Sequence, residues 1–180
     1  MKEVKMKNKI AIFIATWFYS GLIPFIIPGA MAGTYASLFT LPLCYFLLFL
    51  ADSTTAFAYW GVVFLVFILG LWSIPKAEAV LGPRLDWQGK IKRHDQNQIV
   101  IDEAFGMLLS CFPFILLKPQ SLFLGFILAF FLFRFFDAVK VPPISFFDRM
   151  ENAAGVMLDD LVAAIYTALV LLLLLLTTGF

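Results

Sequence analysis

Apolar and polar positions in this chain are segregated into long blocks instead of alternating with a short period. Apolar runs at about 11–28, 36–51, 56–75, 99–117, 120–136 and 156–178 are divided by polar stretches at 51–55, 75–98, 118–119 and 137–152. A helix needs about 20 apolar residues to cross a bilayer. Hydrocarbon tolerates neither open strands nor uncovered irregular backbone, so runs of this length predict an all-α, polytopic, multi-helical integral membrane fold. The run from Ala56 to Pro75 is uncharged and carries Trp60 and Trp72 near its ends, where interfacial aromatics belong. The first run contains Pro24 and Pro28 with Gly21, Gly29 and Gly33, which predicts a broken or re-entrant segment.

Basic residues orient these runs. Lys2, Lys5, Lys7 and Lys9 flank the N-terminus, and Lys76, Arg84, Lys90, Lys92 and Arg93 mark the central polar stretch. Both regions are therefore expected on the cytoplasmic side, with an even number of crossings between them. The second and third runs supply those crossings and the first stays on one side. The fourth run then leaves, the fifth returns after Lys118-Pro119, and the sixth leaves again. About five spanning helices result, with 137–152 cytoplasmic and Pro113 interrupting the fourth.

Composition agrees with a membrane domain. The chain has 180 residues, of which 62% are hydrophobic and 14% charged, against about 25% charged in a soluble domain. That length suits one membrane-embedded domain over 1–180 and leaves no room for a second. A net charge of +1 gives no reason to expect nucleic acid as a partner. The N-terminal run is too long, and too broken by proline, for a cleaved signal peptide. Cys44 and Cys111 lie in apolar runs and read as buried free thiols.

The predicted topology has a chemical consequence. Asp102 and Glu103 open the fourth run, Arg134, Asp137 and Lys140 close the fifth at three-residue intervals, and Asp159 and Asp160 open the sixth. All of them fall at one depth, near one face of the membrane. Asp159 and Asp160 are about 100° apart around a helix, so they share a site only if it lies between them. Carboxylates gathered in this way repel one another unless cations join them. Arg134 and Lys140 offset part of the charge, and a hard divalent cation such as Mg²⁺, which favours oxygen ligands, would offset more. Simpler readings exist for each group: acids at helix starts complement the helix dipole, and Arg134 with Asp137 could be a structural ion pair.

Exclusion narrows the chemistry. One histidine, His94, cannot build a multi-histidine zinc site, and no phosphate-binding glycine loop or thiolate loop is present. What remains suits phosphoryl chemistry on a lipid headgroup, with metal and arginine neutralising phosphate oxygens while a carboxylate orients water. The N-terminus of the last helix, at 152–155, is a further candidate phosphate donor. A small transporter, or a non-enzymatic membrane subunit with an interfacial acidic cluster, is the alternative. A transporter would place its ionisable groups nearer mid-membrane.

Three stretches, IVIDEAFGM (Ile99 to Met107), FRFFDAVKVPPISFFDR (Phe133 to Arg149) and GVMLDDLVAA (Gly155 to Ala164), together make the chain similar to the phosphatidylglycerophosphatase A family of bacterial membrane enzymes. Ser20-Gly21, Pro24, and Gly33, Thr34 and Ser37 extend the resemblance over nearly the whole chain. The N-terminal element departs from the family pattern, because Pro28-Gly29 and Gly33-Thr34 are separated and Ala36 replaces a glycine. The resemblance implies Mg²⁺-dependent hydrolysis of phosphatidylglycerophosphate to phosphatidylglycerol at the bacterial inner membrane, with the active site on the cytoplasmic face. It implies catalytic roles for Asp102, Glu103, Asp137, Asp159 and Asp160. Metal ligation is expected of Asp102, Glu103, Asp159 and Asp160, and phosphate binding of Arg134, Lys140, Thr34 and Ser37. Asp148 also occupies a family position, although its surroundings read as a wetted loop.

Overall fold

The computed structural model describes residues 2–25, 31–50, 56–82, 84–85, 91–92 and 96–179. In chain order the helices are α1 (Lys2–Ala15), α2 (Ala32–Leu50), α3 (Ala56–Leu81), α4 (Ile101–Ser110), α5 (Pro113–Leu116), α6 (Leu122–Val139), α7 (Ile144–Phe147) and α8 (Ala153–Thr178). A 3₁₀ turn, Ser20–Phe25, follows α1. Between α3 and α4, strands β1 (Arg84–Leu85) and β2 (Ile91–Lys92) pair antiparallel, Arg84 opposite Lys92. Pro28, Gly29, the 51–55 connection and His94 lie outside the described residues.

Among the described residues, four helices, α2, α3, α6 and α8, are long and apolar enough to cross a membrane by length and composition. They are the second, third, fifth and sixth apolar runs. Their outward faces carry large apolar side chains, with Phe57, Phe64 and Phe123 exposed by 82%, 66% and 76%. Such surfaces need hydrocarbon around them. The fourth run instead divides into α4 and α5, because Pro113 has no N–H to continue the ladder and its ring crowds the preceding turn. The ten residues of α4 rise about 15 Å, half of a hydrocarbon core about 30 Å thick. Beyond α5 the chain continues to Gln120, whose N–H donates to the Gly179 carbonyl at 3.4 Å. The fourth run thus ends beside the far end of α8.

The apolar run ending at Pro75 does not mark the end of α3, which continues to Leu81. Hydropathy reports the solvent, not the continuity of the backbone; α1 packs along α3, and Ala77 within this extension is fully buried. Ala11 and Ala15 are fully buried. The Val100 N–H donates to the Ala15 carbonyl at 2.9 Å, tying the end of α1 to the start of α4. Between α1 and the 3₁₀ turn, Trp17, Phe18 and Tyr19 all lie in the left-handed region with φ of 46°, 58° and 65°, which is unusual for aromatic residues.

Helix α4 forms the centre. It packs against α8, α2, α3 and α6, and Ile101, Ala104, Met107 and Leu108 are fully buried. The Tyr59 hydroxyl donates to the Leu108 carbonyl. Gly106 permits the tight crossing with α6: a Cβ there would overlap the Phe133 ring and lie 3.4 Å from Asp160 Cβ. The short central helix is thereby seated where its first turn meets the acids of α8.

Candidate active site

Asp102 and Glu103 stand in the first turn of α4, where the helix dipole favours negative charge. Asp160 reaches them from α8. One carboxylate oxygen from each of Asp102, Glu103 and Asp160 lies within 4.8 Å of the others. Asp102 and Asp160 are buried and Glu103 is half-buried, and Asp160 Oδ2 is buried without a hydrogen-bond partner. Three carboxylate oxygens converging in this way fit a hard cation, since a few carboxylates are the usual protein ligands of such ions. Capping does not explain the α8 pair. The Asn152 side chain caps α8 by accepting the Gly155 N–H at 2.9 Å, and Asp159 and Asp160 lie beyond the first turn, where a cap acts. The Gly155 N–H, one of the donors expected for phosphate, is therefore engaged within the chain.

Lys140 organises a second group. It ends α6 in the left-handed conformation, φ 49°, its N–H donating to the Phe136 carbonyl. Its ammonium lies 2.6 Å from Asp159 Oδ2, 2.7 Å from Asp148 Oδ1 and 4.0 Å from Asp137 Oδ1. Burial works to lower the pKa of this ammonium, but Asp159, Asp148 and Asp137 outweigh it and hold Lys140 well above the usual lysine range. Asp159 Oδ1 accepts the Asp160 N–H at 3.0 Å. Both oxygens of Asp159 are thus engaged, and Asp159 lies outside the group of three.

Arg134 links the two groups. Its Nη1 lies 3.0 Å from Asp137 Oδ2. That approach is an ion pair without hydrogen-bond geometry, so the buried Nη1 keeps its donor capacity. On the other side Arg134 approaches the start of α2. A Cβ at Gly33 would overlap Glu103 Oε1 and stand 2.9 Å from Arg134 Nη1. Gly33 is required here by close approach of side chains, not by its own backbone angles. Ser37, one turn along the same face, is fully buried and its Oγ has no hydrogen-bond partner. Thr34 is half-buried and adjacent to Gly33.

The structure therefore gathers Asp102, Glu103, Arg134, Asp137, Lys140, Asp159 and Asp160 at one end of the bundle, with Gly33 against Glu103 and Arg134. Asp148, whose surroundings read as a loop, joins them through Lys140. Its spacing from Lys140 gave no periodic signal, because the turn through α7 brings it back. With Asp148 included, six carboxylates face two cationic side chains. This excess of negative charge favours a cation in the cluster.

Comparison with known proteins agrees with this geometry. The sequence model described as phosphatidylglycerophosphatase A matches residues 13–175. The chain belongs to the phosphatidylglycerophosphatase A family. It is thus a hydrolase of the lipid phosphatase class, acting on a phospholipid phosphate. Among its relatives, phosphatidylglycerophosphatase A of Haemophilus influenzae is 34% identical over 177 residues, covering 94% of this chain and 91% of the relative. Phosphatidylglycerophosphatase A of Escherichia coli K12 is 32% identical over 169 residues, covering 92% and 83%. A Bacteroides thetaiotaomicron protein, 28% identical over 165 residues and covering 91% and 92%, carries the provisional name phosphatidylinositol-3-phosphatase. No solved structure matches.

Proposed function

We propose that this phosphatidylglycerophosphatase A family member is a single-domain, Mg²⁺-dependent enzyme. It would hydrolyse phosphatidylglycerophosphate to phosphatidylglycerol and inorganic phosphate at the cytoplasmic face of a bacterial inner membrane. One observation carries the reading: Asp102, Glu103 and Asp160 bring carboxylate oxygens within 4.8 Å beside the guanidinium of Arg134. The substrate assignment follows the two relatives above 30% identity, both named phosphatidylglycerophosphatase A.

In this reading Asp102, Glu103 and Asp160 would hold the ion, which would supply Lewis-acid neutralisation of phosphate oxygens when bound. Arg134, kept in place by Asp137, binds the non-bridging oxygens through its planar fork. Ser37 Oγ and Thr34 face the headgroup from α2. The oxygen of a water forms a new bond to phosphorus as the bond to the glycerol oxygen breaks. A carboxylate of the cluster would take the water proton and pass it to the departing glycerol oxygen. Lys140 and Asp159 hold the ends of α6 and α8 together, so that Asp160 stays turned toward α4.

The same geometry supports a membrane arrangement with five crossings. Helices α2, α3, α6 and α8 cross, and the broken α4–α5 segment makes a fifth crossing, because it runs from the acidic cluster to the far end of α8. Helix α1 lies at the cytoplasmic interface. The deciding experiment measures phosphate release by purified protein from a panel containing phosphatidylglycerophosphate, phosphatidylinositol 3-phosphate and phosphatidic acid, with and without Mg²⁺. Preference for phosphatidylglycerophosphate, dependent on Mg²⁺, is expected. Preference for phosphatidylinositol 3-phosphate would overturn the substrate assignment.

A further inference from the structure

A groove of about 480 Å³ opens on the flank of α2, away from the face that carries Gly33 and Ser37. Trp17, Phe18, Tyr19 and Ile23 form one wall, and Phe39 and Leu43, one turn apart on α2, form the other. Trp17 is buried, whereas Phe18, Tyr19 and Phe39 are exposed along the opening. Ser20 also lines the groove, but its hydroxyl donates back to the Thr16 carbonyl at 3.4 Å, and the lining is mostly apolar.

From this groove we infer an acyl-chain subsite, holding one fatty chain of the same lipid whose phosphate enters the acidic cluster. The inference rests on the lipid phosphatase reading and deepens it. Two observations single out this occupant. First, α2 is one of the four apolar spans, so the groove faces hydrocarbon, where a soluble peptide or polar metabolite does not reach. Second, both walls belong to elements that also position the cluster. Along α2, Gly33 touches Glu103 and Arg134, and Phe39 and Leu43 lie about 9 Å and 15 Å further along the helix axis. The aromatic wall is bound to the segment leading into Asp102. The Val100 N–H donates to Ala15, and Gly21 packs so closely that a Cβ would overlap the Gln98 carbonyl. A chain lying here starts about 9 Å along α2 from Gly33 and runs inward. A flat lipid-facing surface would not distinguish substrate from bulk lipid, but a groove walled by a fixed aromatic turn does.

Photocrosslinking tests this directly. Phosphatidylglycerophosphate carrying a diazirine in one acyl chain is illuminated with the full-length protein in phosphatidylcholine nanodiscs, and the labelled peptides are mapped. Labels are expected at 17–23 and 39–43, displaced by unlabelled phosphatidylglycerophosphate but not by more phosphatidylcholine. Labels spread over the outer faces of α3, α6 and α8, or undisplaced by substrate, would overturn the subsite. In parallel, Leu43→Trp should raise KM at least about fivefold for dioleoyl substrate through lost chain packing, while kcat/KM for the dihexanoyl form stays within about twofold. Equal loss on both, or on neither, counts against the groove. Wild-type protein that releases no phosphate from any lipid would defeat the lipid phosphatase reading itself. Turnover with unselective labelling defeats only the subsite.

Discussion

Lys140 Nζ stands 2.6 Å from Asp159 Oδ2, whereas the adjacent Asp160 turns its carboxylate toward Asp102 and Glu103. Two neighbours in sequence therefore belong to different groups in space, and their substitutions should separate. D160N removes one of three converging acids, which relieves repulsion but deprives the cluster of a ligand. Turnover is expected to fall at least about 100-fold, as when a central electrostatic group is removed, with an unchanged or higher melting temperature in detergent. D159N breaks a largely buried ion pair and should lower the melting temperature. Its residual turnover should exceed that of D160N. Phosphate release and thermal unfolding, measured on the same preparations, decide the matter; the reverse ordering would sink the division of roles.

Gly33 offers a steric test that adds no charge. Its added methyl group would occupy space held by Glu103 Oε1 and press on Arg134 Nη1. G33A should lower kcat by about 10- to 100-fold, the scale of a disturbed supporting contact, while the protein remains membrane-inserted. Gly61, on the exposed face of α3, has open space around it. The G61A control should leave turnover unchanged and keep or slightly raise stability, since alanine is the better helix former.

Metal dependence should follow the same residues. Exhaustive chelation is expected to abolish phosphate release, and Mg²⁺ to restore it. Mn²⁺ should substitute, because it also accepts oxygen ligands. D102N should raise the Mg²⁺ concentration giving half-maximal activity by at least about tenfold, given that supporting contacts alone change metal affinity by 10- to 100-fold. Activity that survives chelation unchanged would remove the ion from the mechanism.

Topology can be read by cysteine labelling in a background lacking Cys44 and Cys111. Glu151 and Gln120 are both exposed, and they lie toward opposite ends of the bundle. An impermeant reagent applied to intact cells should modify a cysteine at Gln120 and spare one at Glu151. The reversed pattern, Gln120 spared and Glu151 modified, would contradict a fifth crossing by the α4–α5 segment.

Much of this protein is written in block patterning. Hydrocarbon admits only apolar helices whose backbone groups are satisfied internally, so the runs that became α2, α3, α6 and α8 were legible without tertiary information. Basic flanks and the places where runs begin and end brought Asp102, Glu103, Arg134, Asp137, Asp159 and Asp160 to a common depth. The three motif stretches pointed to the family for the same reason: they carry the acidic and basic side chains that the fold then gathers.

Only the tertiary structure decided which acid meets which partner. Asp159 and Asp160 look equivalent in sequence, and their division depends on where α6 ends, which carries Lys140 to one of them, and on where α4 begins, which presents Asp102 and Glu103 to the other. The closeness of Gly33 to Glu103 and Arg134, the return of Asp148 to Lys140, and the continuation of α3 to Leu81 were likewise invisible along the chain. Hydropathy records how a residue meets its solvent, but these pairings are set by contacts between elements far apart in sequence.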